Sequence, residues 1–180
     1  MKIKKFGDKK IIIRELSKKD LGKVKDFQSF VNSLVKEDAK IRMNKKRTEK
    51  EEKLWLKEKL DEISKQKSVL LVAEDNGIII GTTGIDLDRG RQNHIGGFGI
   101  TIRKDYRGMG LGECLMREVI KLAQRELKPK PKIIRLSVFP NNKPAIELYQ
   151  KLGFKKVAKI PKQFQYKGEL VDEVVMLLYL

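Results

Sequence analysis

A run of glycines near the middle of the chain is the segment best suited to bind a charged ligand. The run reads Arg107, Gly108, Met109, Gly110, Leu111 and Gly112. It follows a predicted strand and opens an amphipathic helix. Glycines let the backbone approach a ligand closely, and a helix start offers unpaired N–H groups at the positive end of its dipole. The arrangement predicts a pyrophosphate site, with Arg107 as a further donor. The alternative is a tight strand-to-helix turn that binds nothing.

The spacing of these glycines does not fit a dinucleotide site of the Rossmann type. Such a site uses G-x-G-x-x-G, followed about 20 residues later by an acid at a strand end. Here the spacing is G-x-G-x-G, and Glu126 falls within the end of the predicted helix. Both differences argue against a dinucleotide ligand.

A second pattern combines a short helix with one tyrosine. Asn142 is a good N-cap, and Pro144 stands in the first turn, where its missing N–H is harmless. Gly153 ends the helix. Tyr149 belongs to the apolar stripe of this helix, so both a core aromatic and a catalytic hydroxyl fit the position.

The two segments resemble motifs A and B of the GCN5-related N-acetyltransferase (GNAT) family. They read Arg107-x-x-Gly110-x-Gly112 and Asn142-x-x-Ala145-x-x-Leu148-Tyr149-x-x-x-Gly153-Phe154. The motifs occur in the family's order, and the order of predicted elements is similar over nearly the whole chain. Looser matches, around Asn93 and around Tyr166, are similar to a branch that includes ribosomal-protein and amino-acid N-acetyltransferases.

The resemblance implies acetyl-CoA as the cosubstrate, no metal, and direct attack of a primary amine on the thioester. The backbone of Ile100, Thr101 and Ile102 would pair with the pantetheine arm. The N–H groups of residues 107–112 would hold the pyrophosphate, and Asn142 would contact the cofactor. Tyr149 occupies the position that protonates the leaving thiolate in many family members.

The sequence leaves three parts of this chemistry open. Charge alone makes Lys143 or Arg103 a candidate for the 3′-phosphate of the cofactor. The candidates for a base that accepts the amine proton are Asp86, Asp88, His94 and Glu37. A covalent route through Cys114 needs an activating base, and no histidine is positioned by the sequence to supply it. We therefore interpret Cys114 as a packing residue.

Composition limits the classes of protein that this chain can represent. Its 180 residues fit one domain, residues 1–180. With one cysteine and one histidine, the sequence offers neither an internal disulfide nor a zinc site. No apolar run approaches the roughly 20 residues of a membrane-spanning helix, and the first residues do not resemble a signal peptide. The expected location is the cytoplasm.

The formal charge of +17 has two readings. One is a solvated surface rich in lysine and glutamate, and the other is a face that binds polyanions. The acceptor is accordingly open between a protein N-terminus, a lysine and a small amine, with ribosome contact as one hypothesis. Two further functions remain: a basic module that binds nucleic acid or the ribosome, and a protein that binds acetyl-CoA without transferring it.

The elements that must position these residues alternate between strand and helix, which predicts a mixed α/β (α+β) domain. The GNAT resemblance implies a mostly antiparallel mixed sheet of about seven strands, flanked by about four helices. The Asn76-Gly77 pair predicts a tight hairpin turn. One helix is predicted from Ser17, and a second after Thr48, with Leu54, Trp55 and Leu60 or Ile63 on its apolar face.

The remaining strands and helices are predicted at residues 10–15, 68–74, 78–87, 94–103, 109–127, 133–139, 142–152, 154–160 and 170–180. The last of these strands is apolar from Val174 to Leu180. We expect it to form an exposed edge that pairs between two subunits in a homodimer.

Overall fold

The computed structural model describes residues 1–180 and places all eight strands in one sheet. The strands are β1 (Lys2–Phe6), β2 (Lys9–Glu15), β3 (Ser68–Asp75), β4 (Ile78–Leu87), β5 (Ile95–Ile102), β6 (Ile133–Val138), β7 (Lys155–Tyr166) and β8 (Glu169–Tyr179). The helices are α1 (Val24–Lys36), α2 (Glu49–Ser64), α3 (Leu111–Glu126) and α4 (Lys143–Lys151).

The sheet order is β1-β2-β3-β4-β5-β6-β8-β7, and every neighbouring pair is antiparallel except β5 and β6. The mostly antiparallel α/β prediction is therefore confirmed. The sheet has one strand more than expected, since β1 pairs with β2 along its whole length. The expectation for the last strand is wrong, because β8 lies between β6 and β7 and is not an edge. The edges are β1 and β7.

The parallel pairing of β5 and β6 is short. It joins Ile95 with Ile133, Gly96 with Ile134, and Gly97 with Arg135. Beyond Gly97, β5 continues to Ile102 paired only with β4, while β6 continues paired only with β8. The two strands part, and the second half of β5 has one edge without a backbone partner.

Local signals in the sequence account for several of the turns and helix starts. Asn76 and Gly77 have φ angles of 48° and 81°, as a tight hairpin requires. The Thr48 side chain accepts a hydrogen bond from the Glu51 N–H at 3.3 Å, and the Glu51 carboxylate accepts one from the Thr48 N–H at 2.7 Å. This reciprocal pair begins α2. The helix predicted from Ser17 starts as a 3₁₀ turn, and α1 begins only at Val24.

Each face of the sheet carries its own hydrophobic core. The larger core packs α3 and α4 against the sheet, and the smaller one packs α1 and α2 against the other face. The predicted apolar face of α2 is partly wrong: the Leu54 side chain is 56 % exposed, whereas Leu56 is 0 % exposed. Trp55, Leu60 and Ile63 pack at the margin of the smaller core. None of the helices has the length and apolar character needed to cross a membrane.

Replacing Leu56 by alanine tests the assignment of the smaller core. Leu56 is fully buried, so the variant loses burial and leaves a cavity, and we expect the free energy of unfolding to fall by about 2 to 5 kcal/mol. Leu54→Ala is the matched control, since it makes the same change on the exposed side of the same helix, with an effect within about 0.5 kcal/mol. Urea unfolding measures both. Equal losses from the two variants would contradict the assignment.

Candidate active site

The glycine run forms a sharp turn that leads into α3. Gly108 and Gly110 have φ angles of 78° and 86°, in the left-handed region that favours glycine. The first helical N–H that finds a backbone acceptor belongs to Cys114, which donates to the Gly110 carbonyl at 3.1 Å. The N–H groups of residues 111–113 before it have no backbone partner. Several donors are therefore collected at the positive end of one helix, an arrangement that suits an anion.

Gly112 serves packing rather than turn geometry. A Cβ at this position would stand 3.2 Å from the Leu148 side chain of α4 and 3.6 Å from that of Ile102. The missing side chain therefore lets α3 lie close to both α4 and the end of β5. The start of α3 can therefore lie next to Ile102, the last residue of the unpaired edge of β5.

Arg107 is engaged within the protein. Its Nε donates to the Ile102 carbonyl at 2.8 Å, and its guanidinium forms an ion pair with the Glu37 carboxylate, just after α1. A ligand anion at the glycine turn thus competes with Glu37 for this guanidinium. The pairing also places Glu37, one of the four candidate bases, beside the glycine turn.

The unpaired edge of β5 offers the backbone groups of alternate residues. Arg103 donates its N–H to Ile80 of β4 at 2.8 Å, and the Ile95 carbonyl accepts from the β4 side at 2.9 Å. Odd-numbered residues therefore point to β4, and even-numbered ones to the gap. Of the predicted residues, Ile100 and Ile102 have backbone groups that face the gap, as does Phe98, which was not predicted. Thr101 does not, since its backbone points to β4 and its hydroxyl lies 3.0 Å from that of Thr82.

Tyr149 stands at the point where β5 and β6 part. Its ring lies 6.2 Å from that of Phe98, the first residue beyond the pairing, and 6.0 Å from that of Phe154. Burial raises the pKa of the Tyr149 phenol to about 12. The hydroxyl makes no hydrogen bond within the chain, and no fully buried polar side-chain atom lacks a partner. It therefore keeps contact with solvent and carries a proton that it can donate.

The start of α4 supplies a second polar group. Asn142 is the N-cap residue, half-buried, and its side chain makes no capping hydrogen bond, so the amide remains available. Lys143 is exposed beside it. Arg103 does not suit its proposed phosphate contact, because its guanidinium donates to the Ile79 carbonyl at 2.8 Å and to the Ser33 hydroxyl at 3.1 Å.

Asp86 and Asp88, two of the other candidate bases, lie near the closed end of the gap, where β5 and β6 are still paired. The Asp86 carboxylate accepts from Lys59 at 2.6 Å and from the Ser68 hydroxyl at 2.5 Å, on the β3 side. The Asp88 carboxylate reaches across β5 and accepts from Arg135 of β6 at 2.7 Å. Since Arg135 is the partner of Gly97, Asp88 lies beside the point where the strands part.

His94 and Cys114 take no direct part in this geometry. The His94 carbonyl accepts from Lys132 at 2.8 Å, which joins β5 to the start of β6, and its ring makes no hydrogen bond. Cys114 is half-buried and packs at the margin of the larger core. No group of three or more His, Cys, Asp or Glu side chains is arranged to hold a metal ion.

Sequence reasoning missed two features of the site. Phe98 was not recognised, although its place between the Gly96-Gly97 pair and Gly99 makes it the one large side chain in a glycine-rich part of β5. The second is the pairing of Glu37 with Arg107. Because 69 residues separate the two, no local pattern reports this contact.

The comparisons with known proteins agree with this geometry. Residues 33–154 match the family described as "Acetyltransferase (GNAT) family". The L-amino acid N-acetyltransferase AaaT of Escherichia coli (strain K12) is 36 % identical over 107 residues, which cover 59 % of this chain and 65 % of that protein. The match thus spans just under two thirds of that relative's length.

Solved structures show the same fold. An acetyltransferase of the GNAT family from Streptococcus pneumoniae is 27 % identical, with a TM-score of 0.81 over 94 % of this chain and 99 % of that one. A putative acetyltransferase from Salmonella typhimurium, yncA, solved with its cofactor acetyl-CoA, is 21 % identical. Its TM-score is 0.78, over 94 % of this chain and 93 % of that one.

Replacing Glu37 by glutamine tests the competition for Arg107. Without the carboxylate the guanidinium is released, and we expect the affinity for inorganic pyrophosphate, measured by calorimetric titration, to rise about two- to fivefold. Arg107→Gln is expected to lower the affinity by a similar factor or more. Glu58→Gln, on the exposed side of α2, is the control for the change in net charge. If Glu37→Gln and Glu58→Gln behave alike, Glu37 does not compete with the anion.

Proposed function

The chain belongs to the acetyltransferase (GNAT) family, and from this membership we propose that it transfers the acetyl group of acetyl-CoA to a primary amine. The observation that carries the proposal is the unpaired edge of β5, which runs from Tyr149 at its closed end to the glycine turn at its open end. From Phe98 to Ile102 this edge is about 13 Å long, a span suited to an extended amide-containing arm.

The residues present fit acetyl-CoA in three respects. The glycine turn and the start of α3 would hold the pyrophosphate through their backbone N–H groups. The N–H and C=O groups of Phe98 and Ile100 and the N–H of Ile102 would pair with the amides of the pantetheine arm, as a neighbouring strand would, while the Ile102 carbonyl is engaged by Arg107. The side-chain amide of Asn142 would contact the cofactor from the start of α4.

Bound acetyl-CoA supplies a thioester whose carbonyl carbon accepts the amine nitrogen, and the carbon–sulfur bond then breaks. Tyr149 would donate its proton to the departing sulfur. Its pKa of about 12 keeps the phenol protonated at neutral pH, and its contact with solvent allows reprotonation. The hydroxyl lies at the closed end of the edge, where the thioester would stand.

Asp88 is the candidate base that the geometry favours. Its carboxylate lies beside the gap, on the face of the sheet opposite the helices α3 and α4, where it meets Arg135. An ammonium has no lone pair, so the acceptor must lose a proton before attack. Asp88 would take that proton directly or through a water molecule, with Arg135 holding the carboxylate in place.

The first experiment measures thiol release from acetyl-CoA by the purified protein with amino acids, polyamines and peptides as acceptors. Release with one class of acceptor supports the proposal. No release from any acceptor, together with no rise in melting temperature with acetyl-CoA, would reject it. A rise in melting temperature without release would indicate a protein that binds acetyl-CoA and does not transfer it. A salt-sensitive RNA affinity with no response to acetyl-CoA would favour a nucleic-acid-binding module.

Tyr149→Phe tests the proton donor. We expect kcat to fall by about 10²-fold, since general acid catalysis contributes about that much. The rise in melting temperature with acetyl-CoA is expected to stay, because the ring and its packing are retained. Tyr179→Phe, at a tyrosine that is largely exposed, is the control. An unchanged kcat in Tyr149→Phe would exclude the acid role.

Asp88→Asn tests the base against its neighbour on β4. We expect kcat to fall about 10²-fold while the response of the melting temperature to acetyl-CoA is kept. Asp86→Asn is the matched control, because it changes the same residue type two positions away, on the β3 side. A larger loss in Asp86→Asn than in Asp88→Asn would reverse the assignment.

A further inference from the structure

A cavity of about 410 Å³ lies between the loop that joins α1 to α2 and the hairpin of β7 and β8. Residues 38–44 form one wall, and residues 163–168 form the other. The Tyr166 hydroxyl donates to the Asp38 carbonyl at 3.1 Å, and Lys167 lies 3.6 Å from the Asp38 carboxylate. The two walls are thus held together, and the volume is within the range of ligand sites.

The hairpin side of this cavity is aromatic. Phe139, one residue past the end of β6, stacks on Phe164 of β7 with ring centroids 4.3 Å apart. Tyr166 meets the same Phe139 ring edge-on at 5.4 Å. Such a surface favours an apolar side chain of the occupant.

Positive charge exceeds negative charge among the residues that line this cavity. Arg42 and Lys167 stand against one acid, Asp38, which Lys167 already faces. The Arg42 guanidinium donates to the Ser137 hydroxyl at 3.0 Å and to the Glu173 carboxylate at 3.3 Å, while 75 % of its side chain remains exposed. A guanidinium held in this way can add a carboxylate of the occupant to its partners. The excess of positive charge in the lining, with Arg42 as its exposed cation, favours an acidic occupant and disfavours a polyamine or a lysine-rich tail.

Two glycines of β5 lie on the sheet between this cavity and the place where β5 and β6 part. Gly97 and Gly99 face the same side of the sheet as Ser137, by register with Arg135. A Cβ at Gly99 would meet nothing within 4 Å, and one at Gly97 only a carbonyl at 3.7 Å. On the β5 side, Gly97 and Gly99 therefore present no side chain to an acceptor that lies along this face, and Arg42 contacts Ser137 on the β6 side.

The distance from the parting point to this cavity separates the classes of acceptor. Ser137 lies two residues beyond Arg135, about 7 Å from the parting point, and Phe139 lies four residues beyond, about 13 Å away. One residue spans about 3.5 Å when extended. A free amino acid with its amine at the thioester therefore cannot reach the aromatic wall. A peptide would pass Arg42 near its third residue and reach Phe139 near its fourth or fifth.

We propose that the acceptor is the N-terminus of a peptide or protein, with an acidic residue near its third position and an apolar residue at its fourth or fifth. This proposal rests on the acetyl transfer proposed above. Arg42 is then a specificity-determining residue that binds the acidic side chain, and Phe164 and Tyr166, packed on the buried Phe139, bind the apolar one.

The test compares kcat/KM for acetylation across a set of acceptors of increasing length. The set contains an amino acid amide, a dipeptide, a tetrapeptide and a hexapeptide that share the same N-terminal alanine. We expect kcat/KM to rise until four or five residues are present. The hexapeptide is made in two forms, an acidic one with glutamate at its third position and a basic one with lysine there. We expect kcat/KM for the acidic form to exceed that for the basic form by about tenfold or more.

Arg42→Glu provides the matched test of the residue itself. We expect it to lower kcat/KM for the acidic hexapeptide about tenfold and to raise it for the basic hexapeptide, so that the preference is reversed. Arg91→Glu makes the same charge change at an exposed turn before β5, at the closed end of the gap, and is expected to leave the preference as it is.

The outcomes separate this proposal from the one on which it rests. If the amino acid amide is acetylated as well as the hexapeptide, the peptide proposal is wrong and acetyl transfer stands. The same conclusion follows if Arg42→Glu and Arg91→Glu have the same effect on the ratio of kcat/KM between the acidic and basic hexapeptides. If no acceptor releases thiol and acetyl-CoA leaves the melting temperature unchanged, the transfer proposal has failed.

The aromatic wall is tested separately by Phe164→Ala. This variant is expected to lower kcat/KM for the hexapeptide and to leave kcat/KM for the dipeptide unchanged.

Discussion

The separation of β5 from β6 after only three paired residues is the constraint on which the rest of the structure depends. An unpaired strand edge in the middle of a sheet is costly unless something satisfies its N–H and C=O groups. Here the rings of Phe98, Tyr149 and Phe154 meet at the parting point, with centroids about 6 Å apart. These rings pack in the larger core, on one face of the sheet, beside the point where the backbones of β5 and β6 part. The free N–H and C=O groups of β5 are therefore left for solvent or for a ligand that pairs as a strand would.

The loop after α1 connects the two halves of this site. Within six residues, Glu37 contacts the glycine turn through Arg107, Lys40 donates to the Asn141 carbonyl beside α4 at 2.9 Å, and Arg42 contacts β6 and β8. The end of the loop is pinned separately, since the Asn32 side chain bonds both the N–H and the carbonyl of Arg47. A change in the position of this loop would alter the glycine turn and the cavity beside the β7–β8 hairpin together.

The sequence predicted those parts of the fold that depend on neighbouring residues. The Asn76-Gly77 turn, the Thr48 cap and the glycine turn each need only a few adjacent side chains, and they occur where expected. Leu54 was assigned to the apolar face in place of Leu56, because lysines and glutamates on all sides of α2 leave its apolar stripe ambiguous. β1 was missed because its lysines hide the alternation, and the place of β8 inside the sheet follows from long-range strand order. In the site, the glycines were predictable, whereas the engagement of Arg103 and Arg107 was not, because their partners lie far away along the chain.

The outermost strand β7 is exposed along almost its whole length and carries lysines at positions 155, 156, 159 and 162. Two copies that met along this edge would bring rows of ammonium groups within about 5 Å of each other. Repulsion between them works against edge-to-edge stacking, although Val157 and Ile160 are exposed and would otherwise promote it. Part of the excess positive charge thus opposes association between copies of the protein. Because the Debye length falls to about 3 Å at 1 M salt, this repulsion weakens in concentrated electrolyte and is strongest in dilute buffer.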